Sequence, residues 1–294
     1  MVVFGPTAVG KTEVAIALAK YFHTEILSAD SRQFYRELNI GVAKPNAEQL
    51  ATVPHHFVGH LSIQDDYSAG DYERDAIELL EKVFTTHPVA FLVGGSGLFI
   101  KVVLEGLDTF PGVGEKVNRK LAKILEDEGI EGLQKLLKEH DPDHYEKVDR
   151  SNPQRLMRAL GVTLSSGKPY SSFRKSNPKS RDFEVVKIGL NLPRETLYAR
   201  IDERVDEMIR RGLVEEAKQL LPFREKKSLQ TVGYTELFDF LEGKIPLEES
   251  INLVKQHTRN FAKRQITWFR KEKDVQWFSP GEVDRMIECI SGKI

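Results

Sequence analysis

A glycine-rich loop at the start of the chain has the residue types and spacing of a phosphate site. Its positions are Gly5, Pro6, Thr7, Ala8, Val9, Gly10, Lys11 and Thr12, which match the pattern G-x-x-x-x-G-K-[ST] in full. The glycines permit a loop whose backbone N–H groups converge on phosphate oxygens, Lys11 adds a positive charge, and the Thr12 hydroxyl is a candidate ligand of Mg²⁺. Because most proteins with this loop bind ATP or GTP, a kinase or an NTPase is one candidate function.

A short polar segment with a carboxylate follows the second apolar run of the chain. Asp30, Ser31, Arg32 and Gln33 come directly after the run Glu25 to Ala29. Ligands of parallel sheets collect at the carboxyl ends of the strands, so these side chains should face the same crevice as the phosphate loop. Asp30 is a candidate Mg²⁺ ligand or general base, whereas the alternative is an ordinary helix cap next to a surface arginine.

Short apolar strands and helices must position both segments. Helical periodicity extends over Lys11 to Phe22 and over Tyr72 to Thr86. The predicted strands are the apolar runs Val2 to Phe4, Glu25 to Ala29, Val89 to Val93 and Phe183 to Leu192. Continuous apolar strands that alternate with helices are typical of a parallel sheet covered on both faces. We therefore predict an α/β fold, a P-loop NTPase-like parallel sheet flanked by helices.

A helical segment interrupts this alternation between the third and fourth strands. Three helices are predicted there, at Val113 to Lys138, Asp143 to Val148 and Pro153 to Ser165. We predict a catalytic core formed by residues 1–111 and 182–294, and an α-helical insertion domain formed by residues 112–181. Beyond the fourth strand we predict the helices Arg194 to Leu221, Gln230 to Leu241 and Leu247 to Arg270, and a final strand from Val275 to Phe278.

Positive charge is concentrated in two segments, although the net charge of the whole chain is only −1. The first segment, the basic stretch, contains eight basic residues and no Asp or Glu, and ends in a polar loop from Ser171 to Ser180. Its basic residues are Arg150, Arg155, Arg158, Lys168, Arg174, Lys175, Lys179 and Arg181. Such a stretch is a candidate surface for a polyanion, and a merely solvated surface is the alternative. The second segment extends from Lys255 to Lys273, with Glu272 as its only acidic residue.

The rest of the composition excludes several classes of protein. No apolar run approaches the roughly 20 residues that cross a bilayer, and the amino terminus lacks the pattern of an export signal. We therefore expect a cytoplasmic protein without a membrane span. The single cysteine, Cys289, excludes an internal disulfide and a cysteine-cluster metal site.

Two further features have competing interpretations. His55 and His56 could ligate a metal, but no third ligand lies nearby in sequence, and packing or hydrogen bonding is favoured. Trp268 next to Phe269 could stack on nucleic-acid bases. The helical spacing of Phe261, Ile266 and Phe269 instead favours contacts in the core.

Seven sequence blocks together resemble those of bacterial tRNA dimethylallyltransferases, in the order of that family. They are GPTAVGKT (5–12), SADSRQFYR (28–36), IGVAKP (40–45), PHHF (54–57), VGGSGLFIK (93–101), NPQRLMRAL (152–160) and TRNFAKRQITWFR (258–270). The similarity extends over essentially the whole chain, and several blocks are peculiar to this family.

The resemblance implies transfer of a dimethylallyl group from dimethylallyl diphosphate to N6 of the adenosine that is 3′-adjacent to the anticodon in tRNA. It implies that residues 5–12 hold the donor diphosphate with Mg²⁺, with Thr12 as the metal ligand, and that the enzyme is a monomer. Asp30 would be the general base, with Thr7 and Lys11 beside it in the catalytic centre, and Arg200 and Arg204 are further candidates for the diphosphate. The positions that match tRNA contacts are Asp30, Ser31, Arg32, Gln33, Ser96, Asn118, Gln154, Arg155, Leu156, Met157 and Arg158.

Three positions depart from the family pattern. Ser96 replaces the usual threonine and retains its hydroxyl, and Val42 stands where a threonine is frequent. Asn118 occupies a place where relatives commonly carry an arginine that contacts tRNA, so this contact falls either to Asn118 or to the neighbouring Arg119.

The residues suit the implied reaction, and two alternatives remain. An exocyclic adenine amine is a weak nucleophile, so a carboxylate that takes its proton lowers the barrier. Positive groups around the phosphate loop would stabilise the departing diphosphate, and a base leaves its stack most cheaply in a single-stranded loop. The alternatives are prenylation of free AMP, against which the basic insertion argues, and a P-loop kinase or NTPase.

Overall fold

Six strands form one parallel sheet in the computed structural model of the protein, which describes residues 1–174 and 179–294. The strands are β1 (Val2–Phe4), β2 (Ile26–Ser28), β3 (His55–His56), β4 (Phe91–Gly94), β5 (Lys187–Leu190) and β6 (Val275–Phe278). Their order across the sheet is β3-β2-β4-β1-β5-β6, and every pair is parallel. Val3 and Ile188 are fully buried, as expected for strands covered on both faces. The predicted α/β parallel sheet is confirmed.

Twelve α-helices are present in the described part of the chain. They are α1 (Lys11–Tyr21), α2 (Ala47–Thr52), α3 (Ala69–Val83), α4 (Gly97–Glu105), α5 (Glu115–His140), α6 (Pro142–Tyr145), α7 (Pro153–Ser166), α8 (Arg194–Arg210), α9 (Leu213–Leu220), α10 (Tyr234–Leu241), α11 (Leu247–Phe269) and α12 (Val283–Ser291). Periodicity did not indicate α2, α4, α12 or strand β3. Strand β3 is only two residues long, and α4 follows a glycine-rich turn, so neither gives a periodic signal.

Glycines divide two of the predicted helices. The prediction of one helix from Arg194 to Leu221 is wrong, because Gly212 adopts a φ of +98° between α8 and α9. A residue with a side chain is disfavoured in that conformation, and no α-helix continues through it. Within α5, Gly129 has φ 69° and ψ −164°, so two helical pieces meet at a kink there.

Two compact units make up the chain. Unit 1 consists of Met1–Leu104 and Arg181–Ile294, and unit 2 of Glu105–Ser180. Unit 2 therefore begins seven residues before the insertion that the sequence predicted at residues 112–181. The core of unit 1 lies between the sheet and helices α1, α8 and α12. Among the described residues, no helix is both long enough and apolar enough to cross a bilayer.

A buried carboxylate fixes the end of unit 2. Its apolar core comes from α5 and α7, and Asp141, only 1% exposed, precedes α6. The Asp141 carboxylate accepts hydrogen bonds from the backbone N–H of His144 (3.0 Å) and from the N–H (2.7 Å) and hydroxyl (2.8 Å) of Ser171. It thereby joins α6 to the short 3₁₀ helix Tyr170–Phe173.

Replacement of Asp141 by alanine is expected to destabilise unit 2 by about 2–4 kcal/mol, because it removes a helix cap and leaves buried donors unpaired. Denaturant unfolding, combined with the rate of proteolysis within residues 105–180, measures this loss. Asp143→Ala is the matched control, since Asp143 lies exposed on the same helix. Equal stability of the two variants would contradict the structural role of Asp141.

Candidate active site

The loop between β1 and α1 has the backbone conformation that a phosphate site requires. Gly10 adopts a φ of 100° and Ala8 a φ of 62°, left-handed conformations of the kind that occur in anion-binding loops. A Cβ atom at Gly5 would lie 2.6 Å from the carbonyl oxygen of Leu190 on β5, so only glycine fits there. Lys11 and Thr12 form the first turn of α1, whose amino terminus carries partial positive charge.

Lys11 folds back over the loop. Its Nζ donates hydrogen bonds to the carbonyl oxygens of Gly5 (3.1 Å) and Pro6 (2.8 Å). Burial lowers the pKa of Lys11 to about 8, Asp30 opposes this shift, and Arg204 adds to it. The Lys11 ammonium is therefore held against the loop, close to the Asp30 carboxylate and the Arg204 guanidinium.

Helix α8 brings two arginines to the loop. Arg204 is half-buried, and burial lowers its pKa while Asp30 and Glu13 oppose the shift. Arg200, one turn earlier and exposed, has a guanidinium nitrogen 3.9 Å from the position that a Cβ on Gly10 would occupy. The structure thus places both predicted arginines beside the loop.

Asp30 lies at the carboxyl end of β2, close enough to Lys11 and Arg204 to affect the pKa of both. Its Oδ1 accepts a hydrogen bond from the backbone N–H of Arg32 (3.1 Å). The Ser96 hydroxyl accepts from the N–H of Ser31 (3.2 Å) and lies 3.3 Å from its hydroxyl. Ser31 and Ser96, which are far apart in sequence, are therefore in direct contact beside the carboxylate.

Arg32 and Gln33 use their side chains within the protein. The Arg32 guanidinium donates to the carbonyl oxygens of Lys227 and Ser228, each at 3.0 Å. The Gln33 amide donates to the carbonyl oxygens of Val42 (3.2 Å) and Ala43 (3.1 Å). Both residues thus hold the loops that surround Asp30, and contact of their side chains with tRNA stays a prediction.

A cavity of about 770 Å³ opens beside Asp30 within unit 1, which is a size suited to a small-molecule ligand or a single nucleotide. Its polar wall includes Thr7, Asp30, Ser96 and Arg204. Its apolar wall is formed by α8, α11 and the start of α4, through the side chains of Leu98, Ile201, Val205, Met208, Phe261 and Trp268. The cavity therefore offers a charged end at the phosphate loop and an apolar surface next to it.

Sequence reasoning missed two anchors of this site. Gln265 of α11, only 7% exposed, bonds to the phosphate loop and to the turn after β4. Glu216 of α9 accepts hydrogen bonds from the N–H groups of Ile40 (2.9 Å) and Gly41 (3.0 Å) and from the hydroxyl of Tyr234 (2.6 Å). The sequence did contain a signal for Gln265, because it is a polar residue whose neighbours on the helix are mostly apolar.

The aromatic residues of α11 divide between the core and the cavity. Phe269 is 2% exposed and stacks on Phe4 with ring centroids 4.5 Å apart, as the helical spacing predicted. The same prediction is wrong for Phe261, which is 39% exposed because its face of α11 turns toward the cavity. Trp268 is equally exposed at 39% and also lines the cavity.

The predicted tRNA positions of unit 2 lie on α5 and α7. Gln154, Arg155 and Arg158 are exposed, as are Asn118 and Arg119 at the start of α5. Arg119 pairs with Glu115 at 2.8 Å. Two other positions differ. Met157 is half-buried, and the Leu156 side chain is fully buried in the core of this unit, so contact of Leu156 with tRNA stays a prediction that its side chain does not support.

Among the described residues of the basic stretch, Arg181 does not belong to a surface. The Arg181 side chain is 13% exposed and forms an ion pair with Glu73 at 2.9 Å inside unit 1, so its inclusion in a polyanion surface was wrong. Arg150, Lys168 and Arg174 are exposed in unit 2. Lys175 and residues 176–178 of the predicted polar loop lie outside the described residues.

His55 and His56 form the edge strand β3, and both make hydrogen bonds there. The Nδ1 of His55 is 2.8 Å from the carbonyl oxygen of Val53, and the Nε2 of His56 is 2.6 Å from the Glu25 carboxylate. Over residues 1–174 and 179–294, no group of three or more His, Cys, Asp or Glu side chains is placed to hold a metal ion.

The chain is similar to known proteins over nearly its whole length. Residues 33–272 match the family model described as IPP transferase. The tRNA dimethylallyltransferase of Christiangramia forsetii is 50% identical to this chain, in an alignment that covers 99% of the chain and 97% of that relative.

Solved structures show the same fold over the full length. The full-length tRNA isopentenylpyrophosphate transferase from Bacillus halodurans matches with a TM-score of 0.73 and 34% identity, over 99% of this chain and 95% of that one. A eukaryotic dimethylallyltransferase acting on tRNA matches with a TM-score of 0.81 and 26% identity, over 99% and 76% of the two chains. Taken with the phosphate loop, the neighbouring carboxylate and the cavity between them, these matches establish that the chain belongs to the IPP transferase family.

Proposed function

We propose that this enzyme transfers a dimethylallyl group from dimethylallyl diphosphate to the exocyclic N6 of the adenosine that is 3′-adjacent to the anticodon in tRNA. The observation that carries this proposal is the position of Asp30, which lines the cavity together with Thr7 and Arg204 and interacts electrostatically with Lys11 of the phosphate loop. A base and a leaving-group site therefore face one cavity. The names of the relatives supply the substrates.

The donor diphosphate binds at the loop of residues 5–12. The loop N–H groups and the amino terminus of α1 provide donors, and Lys11, Arg200 and Arg204 provide positive charge. As the bond between the allylic carbon and the diphosphate oxygen breaks, negative charge accumulates on the diphosphate. These groups stabilise that charge without further rearrangement, because the fold already holds them in place.

Mg²⁺ is the cofactor that this donor set fits. The Thr12 hydroxyl, in the first turn of α1, would hold the ion together with the donor diphosphate. The ion would neutralise part of the charge on the leaving group.

The acceptor adenine enters the cavity from the side of Asp30. Asp30 takes one proton from the N6 amine while the new C–N bond forms, which compensates for the weak nucleophilicity of that amine. The apolar residues of α8 and α11 border the space that the dimethylallyl group occupies. They keep water from the reactive carbon, so hydrolysis of the donor is suppressed.

Unit 2 provides a surface for the rest of the tRNA. Its exposed arginines and lysines, including Arg150, Arg155 and Arg158, carry positive charge with no acidic residue between positions 150 and 174. Such a surface suits the phosphates of an anticodon stem-loop. A free nucleotide has no need of it, and this favours tRNA over AMP as the acceptor.

One assay separates the three candidate functions. The protein is incubated with Mg²⁺ and dimethylallyl diphosphate together with tRNA or AMP, and separately with ATP and tRNA. We expect prenylated adenosine and diphosphate only when the donor and tRNA are both present. Prenylation of AMP alone would overturn the choice of acceptor, and RNA-stimulated ATP hydrolysis without prenyl transfer would identify an NTPase.

A further inference from the structure

We infer that Gln265 is a positioning residue that fixes the distance between the donor site and the general base, an inference that rests on the proposed function. The Gln265 amide lies between the phosphate loop, which holds the leaving group, and the turn after β4, which contacts the segment carrying Asp30. It controls the rate of the transfer step and leaves the affinity for each substrate almost unchanged.

Both polar ends of the Gln265 amide are engaged by backbone on opposite sides. Its Oε1 accepts a hydrogen bond from the N–H of Thr7 at 2.8 Å, and its Nε2 donates to the carbonyl oxygen of Gly95 at 2.9 Å. A Cβ atom on Gly95 would lie only 2.4 Å from the Gln265 nitrogen, so the turn can approach this closely only because it has glycine there. One side chain thus bridges the ends of strands β1 and β4.

The contact continues from Gly95 to the base. Ser96 accepts a hydrogen bond from the N–H of Ser31 (3.2 Å), and its own N–H donates to the carbonyl oxygen of Ala29 (3.3 Å). Ala29 and Ser31 flank Asp30 in sequence. A chain of direct contacts therefore joins Thr7 to Asp30 through Gln265 and the turn after β4.

Helix α11 provides a rigid support for this bridge. One turn after Gln265, Phe269 stacks on Phe4 of β1 with ring centroids 4.5 Å apart. Toward the start of the helix, Lys255 pairs with Asp206 of α8 at 2.6 Å, and Arg259 pairs with Asp202 of the same helix. Because α11 is held on both sides of Gln265, the amide has little freedom to follow either loop if one of them moves.

Rate is the quantity that depends on this bridge. In the transfer step the C–N bond forms as the C–O bond to diphosphate breaks, so the amine, the carbon and the leaving oxygen must be aligned. A misplacement of about 1 Å costs on the order of 100-fold in rate. Substrate binding depends instead on the charged groups of the donor site and on the basic surface of unit 2, whereas the hydrogen bonds of Gln265 go to the backbone of Thr7 and Gly95.

The test uses Gln265→Leu in the full-length protein. We expect kcat for tRNA prenylation to fall about 100-fold, while the Kd of inorganic diphosphate with Mg²⁺ and the Kd of tRNA stay within threefold of the wild-type values. Gln265→Glu, which keeps the acceptor for Thr7 and loses the donor to Gly95, should show an intermediate kcat. If Gln265→Leu fails to fold, the kcat of Gln265→Glu tests the inference in its place.

A matched control separates a loss of positioning at the active site from a general loss of stability. Met286→Ala on α12 removes a fully buried side chain that lies outside the cavity lining. It should lower the unfolding temperature by a comparable amount while kcat stays within twofold. A double variant with Ser96→Ala should lose less than the product of the two single effects, since the two residues act through one chain of contacts.

Two results would overturn the inference. One is a Gln265→Leu variant with wild-type kcat, and the other is a loss of activity explained by weaker binding of diphosphate or tRNA. An inactive wild-type protein under the same conditions would instead overturn the proposed function, so the two failures are distinguishable.

Discussion

Replacement of Asp30 by asparagine is expected to reduce kcat for tRNA prenylation by about 10²- to 10⁴-fold, the usual contribution of a general base. Asparagine has nearly the same shape, and its oxygen can still accept the hydrogen bond from the N–H of Arg32 that Asp30 accepts at 3.1 Å. The local fold should therefore persist while the ability to take a proton from N6 is lost. Single-turnover kinetics with saturating donor and tRNA measure this step directly.

The tRNA affinity of Asp30→Asn should stay within a few-fold of wild type. Asp66→Asn is the matched control, because Asp66 is an exposed carboxylate outside the cavity lining, and its kcat should be unchanged. Loss of tRNA binding with normal turnover of the bound complex would show that Asp30 docks the RNA and does not act as the base.

Replacement of Lys11 by methionine should lower kcat/KM for dimethylallyl diphosphate by about 10²- to 10³-fold, a loss typical for removal of one group that stabilises transition-state charge. In the free protein the Lys11 ammonium donates to the carbonyl oxygens of Gly5 and Pro6. On donor binding we expect it to bond a diphosphate oxygen, and burial makes such a charge interaction stronger than it would be in water.

Lys20→Met provides the control for Lys11→Met, since Lys20 is exposed in the last turn of the same helix. Steady-state kinetics with varied donor, together with titration of inorganic diphosphate, should show the defect in Lys11→Met alone. A variant that binds diphosphate normally and is slow only in the transfer step would mean that Lys11 acts on the transition state and adds nothing to ground-state binding.

The phosphate loop and the α/β class could be read from the sequence, for local reasons. The loop depends on residues 5–12 only, and strands β1 and β4 lie in short apolar runs flanked by glycine or proline, which favours strands over helices. The helices of unit 2 were also visible as periodic segments. Helix α9 was not separated from α8, because the break depends on the backbone of one residue, Gly212, whose φ the sequence does not state.

The surroundings of Asp30 depend on contacts between residues that are far apart in sequence. Gln265 is 258 residues from Thr7 and 170 from Gly95, and Ser96 is 65 from Ser31, so no local pattern connects them. Their contacts follow from the strand order, which places β4 between β1 and β2 and brings three loop ends to one edge. The packing of α11 likewise decided that Phe269 is core and Phe261 faces the cavity.

The order of residues along the chain is sufficient to predict a phosphate site at residues 5–12 and a carboxylate at the end of the next strand. Short-range backbone geometry is sufficient for each of these features. Three relations appear only in the folded chain: Asp30 and Arg204 line one cavity, the side chains of Leu156 and Arg181 are withdrawn from the surface, and Gln265 bonds to both the phosphate loop and the turn after β4. Those relations depend on which side chains meet across the sheet, and the spacing along the chain does not encode them.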